Sequence, residues 1–86
     1  MIVTVKTFAA LREIIGFASV AIDVSSDATV RDVIKAIGER YPGTGMIASQ
    51  IMIAVNMEYV GLDHPVHQND EMALIPPVSG GSKRSS

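Results

Sequence analysis

The 86-residue chain contains no cysteine and carries no excess of positive charge. Without cysteine it has no disulfide bonds, thiolate metal sites or cysteine nucleophile, and this fits a reducing compartment. Seven basic against nine acidic residues give a formal net charge of −2, which argues against nucleic acid as a partner. No apolar run approaches the roughly 20 residues that cross a bilayer, and residues 1–6 do not resemble a signal peptide. We therefore expect one soluble, cytoplasmic domain that needs no membrane.

Five short segments predict strands because they are rich in β-branched residues or carry apolar residues at alternate positions. In chain order they cover about residues 2–8, 19–24, 51–55, 59–60 and 71–75. The first and last segments have apolar side chains on both faces, which is typical of strands inside a sheet. Pro76 and Pro77 are expected to end the last strand, since proline cannot donate a ladder hydrogen bond.

Two helices are predicted between the strands. The longer covers about residues 30–41. Thr29 is its expected N-cap, and Asp32 stands three residues on, close to a capping box with Asp in place of Glu. Its apolar stripe consists of Val30, Val33, Ile34 and Ile37. The shorter helix, about residues 9–15, is expected to end at Gly16. One long helix on one face of a mixed sheet is an α+β roll, and central first and last strands make it a β-grasp (ubiquitin-like) fold.

The predicted domain offers no self-sufficient active site. His64 and His67 have H-x-x-H spacing beside Asp63, but a third metal ligand at a firm spacing is lacking, and a polar turn is the favoured interpretation. No metal site is predicted. The carboxylates are scattered over polar positions, which is typical of a solvated surface. Three methionines are interpreted as residues of the core or its edge: Met46, Met52 and Met72.

Residues 76–81 read Pro-Pro-Val-Ser-Gly-Gly and directly follow the last predicted strand. The prolines favour a stiff polyproline conformation, and six extended residues reach about 20 Å. Gly80 and Gly81 fit a tunnel that is too narrow for side chains. We therefore assign residues 1–76 to the folded domain and residues 77–86 to a flexible C-terminal arm. A glycine- and serine-rich terminus without function is the alternative.

These motifs resemble those of the small, sulfur-carrying subunits of molybdopterin synthase, the MoaD-like branch of the MoaD/ThiS β-grasp family. The resemblance spans residues 1–81. The matching pieces are Phe8-Ala9-x-x-Arg12-Glu13-x-x-Gly16, Thr29-Val30, Ala54-Val55-Asn56, Asp63-His64-Pro65, Asp70-Glu71 and Pro76-Pro77-Val78-Ser79-Gly80-Gly81. The Asp-His-Pro and Pro-Pro-Val-x-Gly-Gly pieces favour the molybdopterin branch over the thiamine branch.

The resemblance implies a cycle of sulfur transfer in which the chain is not catalytic alone. An ATP-using, E1-like enzyme would adenylate the carboxylate of Gly81, and a sulfurtransferase system would convert it to a thiocarboxylate. The arm would then enter the large subunit of molybdopterin synthase and give its sulfur to cyclic pyranopterin monophosphate, in molybdenum cofactor biosynthesis. The activating partner would use the ATP, so we expect this chain to bind no cofactor stably.

The resemblance also implies roles for single residues. Gly81 would be the sulfur-bearing terminus, and Gly80 would give it a slim approach. The expected partner-binding residues are Phe8, Tyr59, Ile75, Pro76, Pro77, Val78 and Ser79. For Phe8 and Ile75, a place in the hydrophobic core is an alternative of equal weight.

Residues 82–86 depart from the family pattern, in which the chain ends at the second glycine. An internal Gly81 carbonyl is an amide and offers no carboxylate to adenylate. A processing protease could remove the extension, or it could be foreign to the natural protein; loss of the cycle is the less favoured explanation.

Three other functions stay open. One is a ubiquitin-like modifier that is joined through Gly81 to lysines of other proteins. Another is a sulfur carrier for a thiamine or cysteine pathway. The third is an interaction module with no catalytic role and an idle arm.

Overall fold

A computed structural model describes residues 1–8, 10–42 and 51–76 of the chain. Its elements are β1 (Ile2–Thr7), α1 (Ala10–Ile15), β2 (Ser19–Asp23), α2 (Val30–Arg40), β3 (Met52–Val55), β4 (Glu58–Val60) and β5 (Glu71–Ile75). All seven predicted elements are confirmed, each with its ends within one residue of the prediction. The predicted arm, residues 77–86, lies outside the described residues.

The five strands form one mixed sheet in the order β2-β1-β5-β3-β4. β1 and β5 are parallel neighbours at its centre, with Thr4 of β1 opposite Glu71 of β5. All other neighbouring strands are antiparallel. The first and last strands are therefore interior strands, as their two-sided apolar pattern predicted, and the β-grasp arrangement is confirmed.

The hydrophobic core lies between α2 and one face of the sheet. The central strands contribute Val3, Val5, Met72 and Leu74, all 0% exposed. The apolar stripe of α2 contributes Val30, Val33 and Ile37, with Ile34 half-buried beside them. Burying one such side chain stabilises the fold by about 1.5–3 kcal/mol. Thr7, the buried polar side chain of the described residues, donates its hydroxyl to the carbonyl of Phe17, so its burial leaves no unpaired donor.

Both helix boundaries that the sequence predicted are present. At the start of α2, the backbone N–H of Thr29 donates to the Asp32 carboxylate at 2.9 Å, as in a capping box with Asp in place of Glu. At the end of α1, Gly16 has a φ of 107° and donates its N–H to the carbonyl of Arg12 at 2.9 Å. Glycine adopts this conformation without steric cost, which explains the stop. In the described part of the chain, neither helix has the length and apolar character that crossing a membrane requires.

Leu74→Ala is expected to lower the free energy of unfolding by about 3 kcal/mol, because it leaves a cavity at a core position. Leu62→Ala is the matched control. It truncates a side chain that is 41% exposed, and we expect it to cost less than about 1 kcal/mol. Urea unfolding followed by circular dichroism measures both values. Equal losses for the two variants would contradict the assignment of Leu74 to the core.

Candidate functional site

The sheet face opposite α2 carries a groove of about 290 Å³. We call this surface the open face and define it by the residues that line the groove: Lys6, Phe8, Ala54, Met57, Tyr59, Glu71, Ala73 and Ile75. Strand register sets its floor, since Ala73 of β5 lies opposite Ala54 of β3. Neither alanine side chain extends beyond Cβ, so larger neighbours stand above them on both sides and form the rim.

The rim of the groove is apolar and exposed. Phe8 is 46% exposed, Tyr59 is 66% exposed and Met57 is 93% exposed, while Ile75 is half-buried. Contiguous apolar side chains in contact with water are typical of a surface that another protein covers. The structure thus brings the predicted Phe8, Tyr59 and Ile75 together and places Phe8 and Ile75 outside the buried core. Their role in partner binding stays a prediction.

An ion pair lies at one side of the groove. Nζ of Lys6 is 2.7 Å from Oε2 of Glu71, and the two side chains are 42% and 47% exposed. An exposed pair of this kind contributes about 0–1 kcal/mol to stability. Its main effect is therefore to keep both charges together at the edge of an apolar surface.

The turn between β3 and β4 presents Met57 at the rim. Asn56 and Met57 have φ values of 50° and 73°, as in the type I′ turn of two-residue hairpins. Asparagine tolerates this left-handed region, whereas for methionine it costs about 1–2 kcal/mol. Because its side chain is 93% exposed, Met57 gains almost no burial in return. The stability of the fold therefore does not explain why a methionine occupies position 57.

The side chain of Asn56 fastens this turn to the start of β5. Its amide nitrogen donates to the Asp70 carboxylate at 2.9 Å, and its amide oxygen accepts the N–H of Glu71 at 3.0 Å. The backbone N–H of Asn56 donates to the carbonyl of Glu71 at 2.8 Å. Three hydrogen bonds from one residue hold the turn in a fixed position relative to the groove.

Asp70 is the titratable group in this network whose pKa is clearly shifted. Partial burial raises the pKa of its carboxyl group, but several interactions act in the opposite direction. They are the hydrogen bonds from Asn56 and from the backbone of His67, and the nearby His67 ring. Together they outweigh burial and hold the pKa of Asp70 below its ordinary value of 3.8. The ionised form of Asp70 is thus the one that fits the folded network.

The H-x-x-H segment takes part in contacts within the fold. Asp63 pairs with Arg31 at 3.0 Å, and the carbonyl of His64 accepts the N–H of Val30 at the start of α2 at 2.9 Å. Among residues 1–8, 10–42 and 51–76, no three His, Cys, Asp or Glu side chains are grouped so that they could hold a metal ion. Through their contacts with Arg31 and Val30, Asp63 and His64 connect their loop to α2.

Sequence reasoning missed five residues of the open face as site residues: Lys6, Ala54, Met57, Glu71 and Ala73. The alternation of Ala73 with two larger core residues on β5 was an available signal, since a small residue on the other face leaves room for a partner.

The predictions for the methionines had different outcomes. Met52 differs from its prediction, because it is 43% exposed and lies opposite Ile75 on the side of the groove. Met72 is buried as predicted, and Met46 lies outside the described residues.

The strand that precedes the predicted arm ends beside the groove. β5 ends at Ile75, which lines the groove, and Pro76 follows as a half-buried residue. The predicted site residues of the arm lie outside the described part of the chain: Pro77, Val78, Ser79, Gly80 and Gly81. Their roles stay predictions.

A family model described as the ThiS family matches residues 5–81. The "Molybdopterin synthase sulfur carrier subunit" of Dictyostelium discoideum is 39% identical over 77 residues, which cover 86% of this chain and 90% of that protein. The "Small archaeal modifier protein 1" of Haloferax volcanii is 37% identical over 84 residues, which cover 88% of this chain and 97% of that protein. Both likenesses extend over most of the chain and agree with the resemblance inferred from the motifs.

Solved structures share the fold over nearly the whole chain. The crystal structure of SAMP1 from Haloferax volcanii has a TM-score of 0.86 at 34% identity and covers 94% of this chain and 100% of that one. A chain in the protein–protein complex of subunits 1 and 2 of molybdopterin-converting factor from Helicobacter pylori has a TM-score of 0.70 at 26% identity, with coverage of 94% and 100%. These likenesses support the β-grasp assignment independently of the strand order.

Asp70→Asn is expected to lower the free energy of unfolding by roughly 1 kcal/mol at neutral pH, since a charged acceptor is lost. The folded pKa of Asp70 lies below the ordinary value of 3.8. Its stabilising effect is therefore complete above that value and disappears as the pH falls through the folded pKa. Urea unfolding from about pH 7 to about pH 2 should show the difference between wild type and variant narrowing below about pH 4.

Glu39→Gln is the control for this prediction, because Glu39 is an exposed carboxylate on α2, away from the Asn56 network. It is expected to leave the stability within about 0.5 kcal/mol of wild type at neutral pH. A difference between wild type and Asp70→Asn that stays constant over the whole pH range would contradict the lowered pKa.

Proposed function

We propose that this chain, which belongs to the ThiS family, is the sulfur-carrier subunit of a molybdopterin synthase and is inactive without its large subunit. The observation that carries the proposal is the junction of β5 with the arm. β5 ends in the open face, and Pro-Pro-Val-Ser-Gly-Gly follows at residues 76–81. The family match also ends at residue 81. A surface suited to a partner thus lies at the end of the strand from which the arm continues in sequence.

The reacting group in this proposal is the carboxylate of Gly81. It attacks ATP bound to an E1-like enzyme, pyrophosphate leaves, and the terminus becomes an acyl adenylate. A sulfur nucleophile from a sulfurtransferase system then displaces AMP and leaves a thiocarboxylate. Such a terminus carries sulfur without a thiol side chain, which is compatible with a chain that has no cysteine. ATP is bound by the activating partner, so the carrier itself needs no cofactor.

The acceptor in this proposal is cyclic pyranopterin monophosphate, which becomes the dithiolene inside the large subunit after two carrier chains have each given it one sulfur and returned to the carboxylate. Gly80 and Gly81 suit delivery because a partner's active site can close tightly around backbone without side chains. Six extended residues from Pro76 to Gly81 reach about 20 Å. This length is sufficient to carry the terminus from the docked sheet into a neighbouring subunit.

Residues 82–86 are removed in the proposed cycle. Only a free carboxylate can be adenylated, so the peptide bond between Gly81 and Ser82 has to be cleaved first. We assign this step to a processing protease. The Lys83-Arg84 pair does not supply the cut, because a trypsin-like enzyme cleaves after the basic residue and leaves Gly81 internal.

The open face is the proposed docking surface for the large subunit. Aromatic and methionine side chains are enriched where protein interfaces are buried, with charged groups at the margin. Phe8, Tyr59 and Met57 provide exposed aromatic and methionine side chains. The ion pair of Lys6 and Glu71 provides charged groups at the side of the groove. The Helicobacter pylori chain of the same fold, which belongs to a complex of subunits 1 and 2, supports a partner of this kind.

A protein modifier is the second candidate. It is favoured by the likeness to small archaeal modifier protein 1, which has the higher TM-score, 0.86, of the two structures compared above. In that function an activated Gly81 acylates a lysine amine of a target protein, and the product is an isopeptide. Both functions need the same free glycine terminus, so the fate of activated Gly81 distinguishes them.

The form of the chain that ends at Gly81 is expected to become a thiocarboxylate when its E1-like enzyme, ATP and a sulfur donor are supplied. Intact-mass measurement detects the exchange of one oxygen for sulfur, and the large subunit should then convert cyclic pyranopterin monophosphate. The form that ends at Ser86 is expected to stay unmodified. Deletion of Gly81 from the trimmed form shortens the arm by about 3.5 Å and is expected to abolish sulfur transfer while the fold and partner binding are retained.

Sulfur transfer by the form that lacks Gly81 would contradict the terminal-glycine mechanism. A trimmed form that is found joined to lysines of other proteins, and that gives no dithiolene, would favour the modifier instead. Circular dichroism of all three forms checks that the fold is unchanged.

Ala73→Leu is expected to weaken binding of the large subunit by at least about tenfold, because leucine fills the floor of the groove. Stability should change by less than about 1 kcal/mol, since the side chain points away from the core. Ala21→Leu is the matched control: Ala21 is exposed on β2 opposite Thr4, on the same side of the sheet but outside the groove. Calorimetric titration compares the two variants, and equal effects would contradict docking at the groove.

A further inference from the structure

We propose that Met57 is an oxidant-sensitive modification site, and that its sulfoxide weakens binding of the open face to the large subunit. This inference rests on the proposed function, which supplies the partner. It assigns to this methionine a role that the folding of the domain does not require. The grounds are its exposure, its backbone conformation and the surface that it borders.

Exposure distinguishes Met57 from the other described methionines. Met57 is 93% exposed, Met52 is 43% exposed and Met72 is 0% exposed, while Met1 is half-buried. The oxidation of a thioether depends on whether an oxidant can reach its sulfur. Met57 is therefore expected to react first among these residues, and Met72 last.

The turn presents this side chain without depending on it. Asn56 holds the turn by donating hydrogen bonds to Asp70 and Glu71 and by accepting the N–H of Glu71. None of these bonds involves the side chain of Met57. The φ of 73° at Met57 comes from the backbone geometry of the hairpin. Oxidation of the sulfur is thus expected to change the surface and to leave the fold intact.

The proposed reaction is a two-electron oxidation by a peroxide. The sulfur lone pair of Met57 attacks one peroxide oxygen, an S–O bond forms and the O–O bond breaks. With hydrogen peroxide, the leaving hydroxide takes the proton of the new S–OH group, which gives the sulfoxide and water. The thioether is oxidised to the sulfoxide, the peroxide is reduced, and methionine sulfoxide reductases can reverse the change.

The sulfoxide introduces a strong hydrogen-bond acceptor at an apolar rim. Burial of an acceptor without a donor is unfavourable. The groove contains a cationic donor, Lys6, but its Nζ is already 2.7 Å from the Glu71 carboxylate. We therefore expect oxidation to weaken binding of the large subunit by about tenfold, or about 1.4 kcal/mol. Binding, conversely, covers Met57 and protects it from oxidation.

The first test maps the order of oxidation. The trimmed chain is treated with graded hydrogen peroxide and quenched, and the oxidised positions are identified by peptide mass spectrometry, with and without the large subunit. The expected order is Met57 before Met52 and Met52 before Met72, with slower oxidation of Met57 in the complex. Oxidation of Met52 or Met72 before Met57 would overturn the proposal.

The second test measures the change in affinity that peroxide produces in each of three proteins. Wild type is expected to bind the large subunit about tenfold more weakly after treatment, and so is Met52→Leu, which keeps Met57. Met57→Leu has no sulfur at this position and should show the same affinity before and after treatment. Peroxide-sensitive binding in Met57→Leu, or insensitive binding in wild type, would overturn this inference and leave the proposed function intact. If untreated wild type does not bind the large subunit, the proposed function fails and this inference falls with it.

Discussion

The parallel pairing of β1 with β5 is the constraint on which the rest of the structure depends. It joins the first and last strands of residues 1–8, 10–42 and 51–76, so every other element described there belongs to the connection between them. β2 adds to the free side of β1, and β3 adds to the free side of β5. A pairing between distant segments is entropically costly to form. Its stability therefore has to come from the core that the two strands share with α2.

The register of this pair also determines the surface on the other side of the sheet. Val5 and Met72 are partners in the ladder and are both buried, while the next partners, Lys6 and Ala73, face away from the core. A shift by one residue would exchange the two faces of a strand. This register thus places Lys6 beside Ala73 on the open face, and the separate ladder of β3 with β5 places Ala54 opposite Ala73. The core and the groove are therefore fixed by the same strand, β5, through its two ladders.

Much of the fold could be predicted from the sequence because its signals are local. Thr29 and Asp32 begin α2, and its apolar stripe identifies the buried side. The open face was harder to predict, because alternation tells which residues share a face but not which face meets the helix. At the end of β1 the signal even points the wrong way, since the buried residue is polar Thr7 and the exposed one is Phe8. Met57 was missed because asparagine and glycine, not methionine, are typical of its turn.

Recognition and chemistry are separate parts of the proposed function. A glycine terminus supplies neither a general base nor an activated nucleophile, so rate acceleration has to come from the partners. The fold contributes position. β5 is hydrogen-bonded to β1 on one side and to β3 on the other, and its last residue, Ile75, is held by pairing with Met52 of β3. In the proposed function, docking of the open face therefore fixes the end of β5, and the two prolines are expected to limit the freedom of the residues that follow. In the proposed cycle, the glycine terminus is then delivered to the partner's active site at a high effective concentration, because the arm follows directly in sequence on the strand that lines the groove.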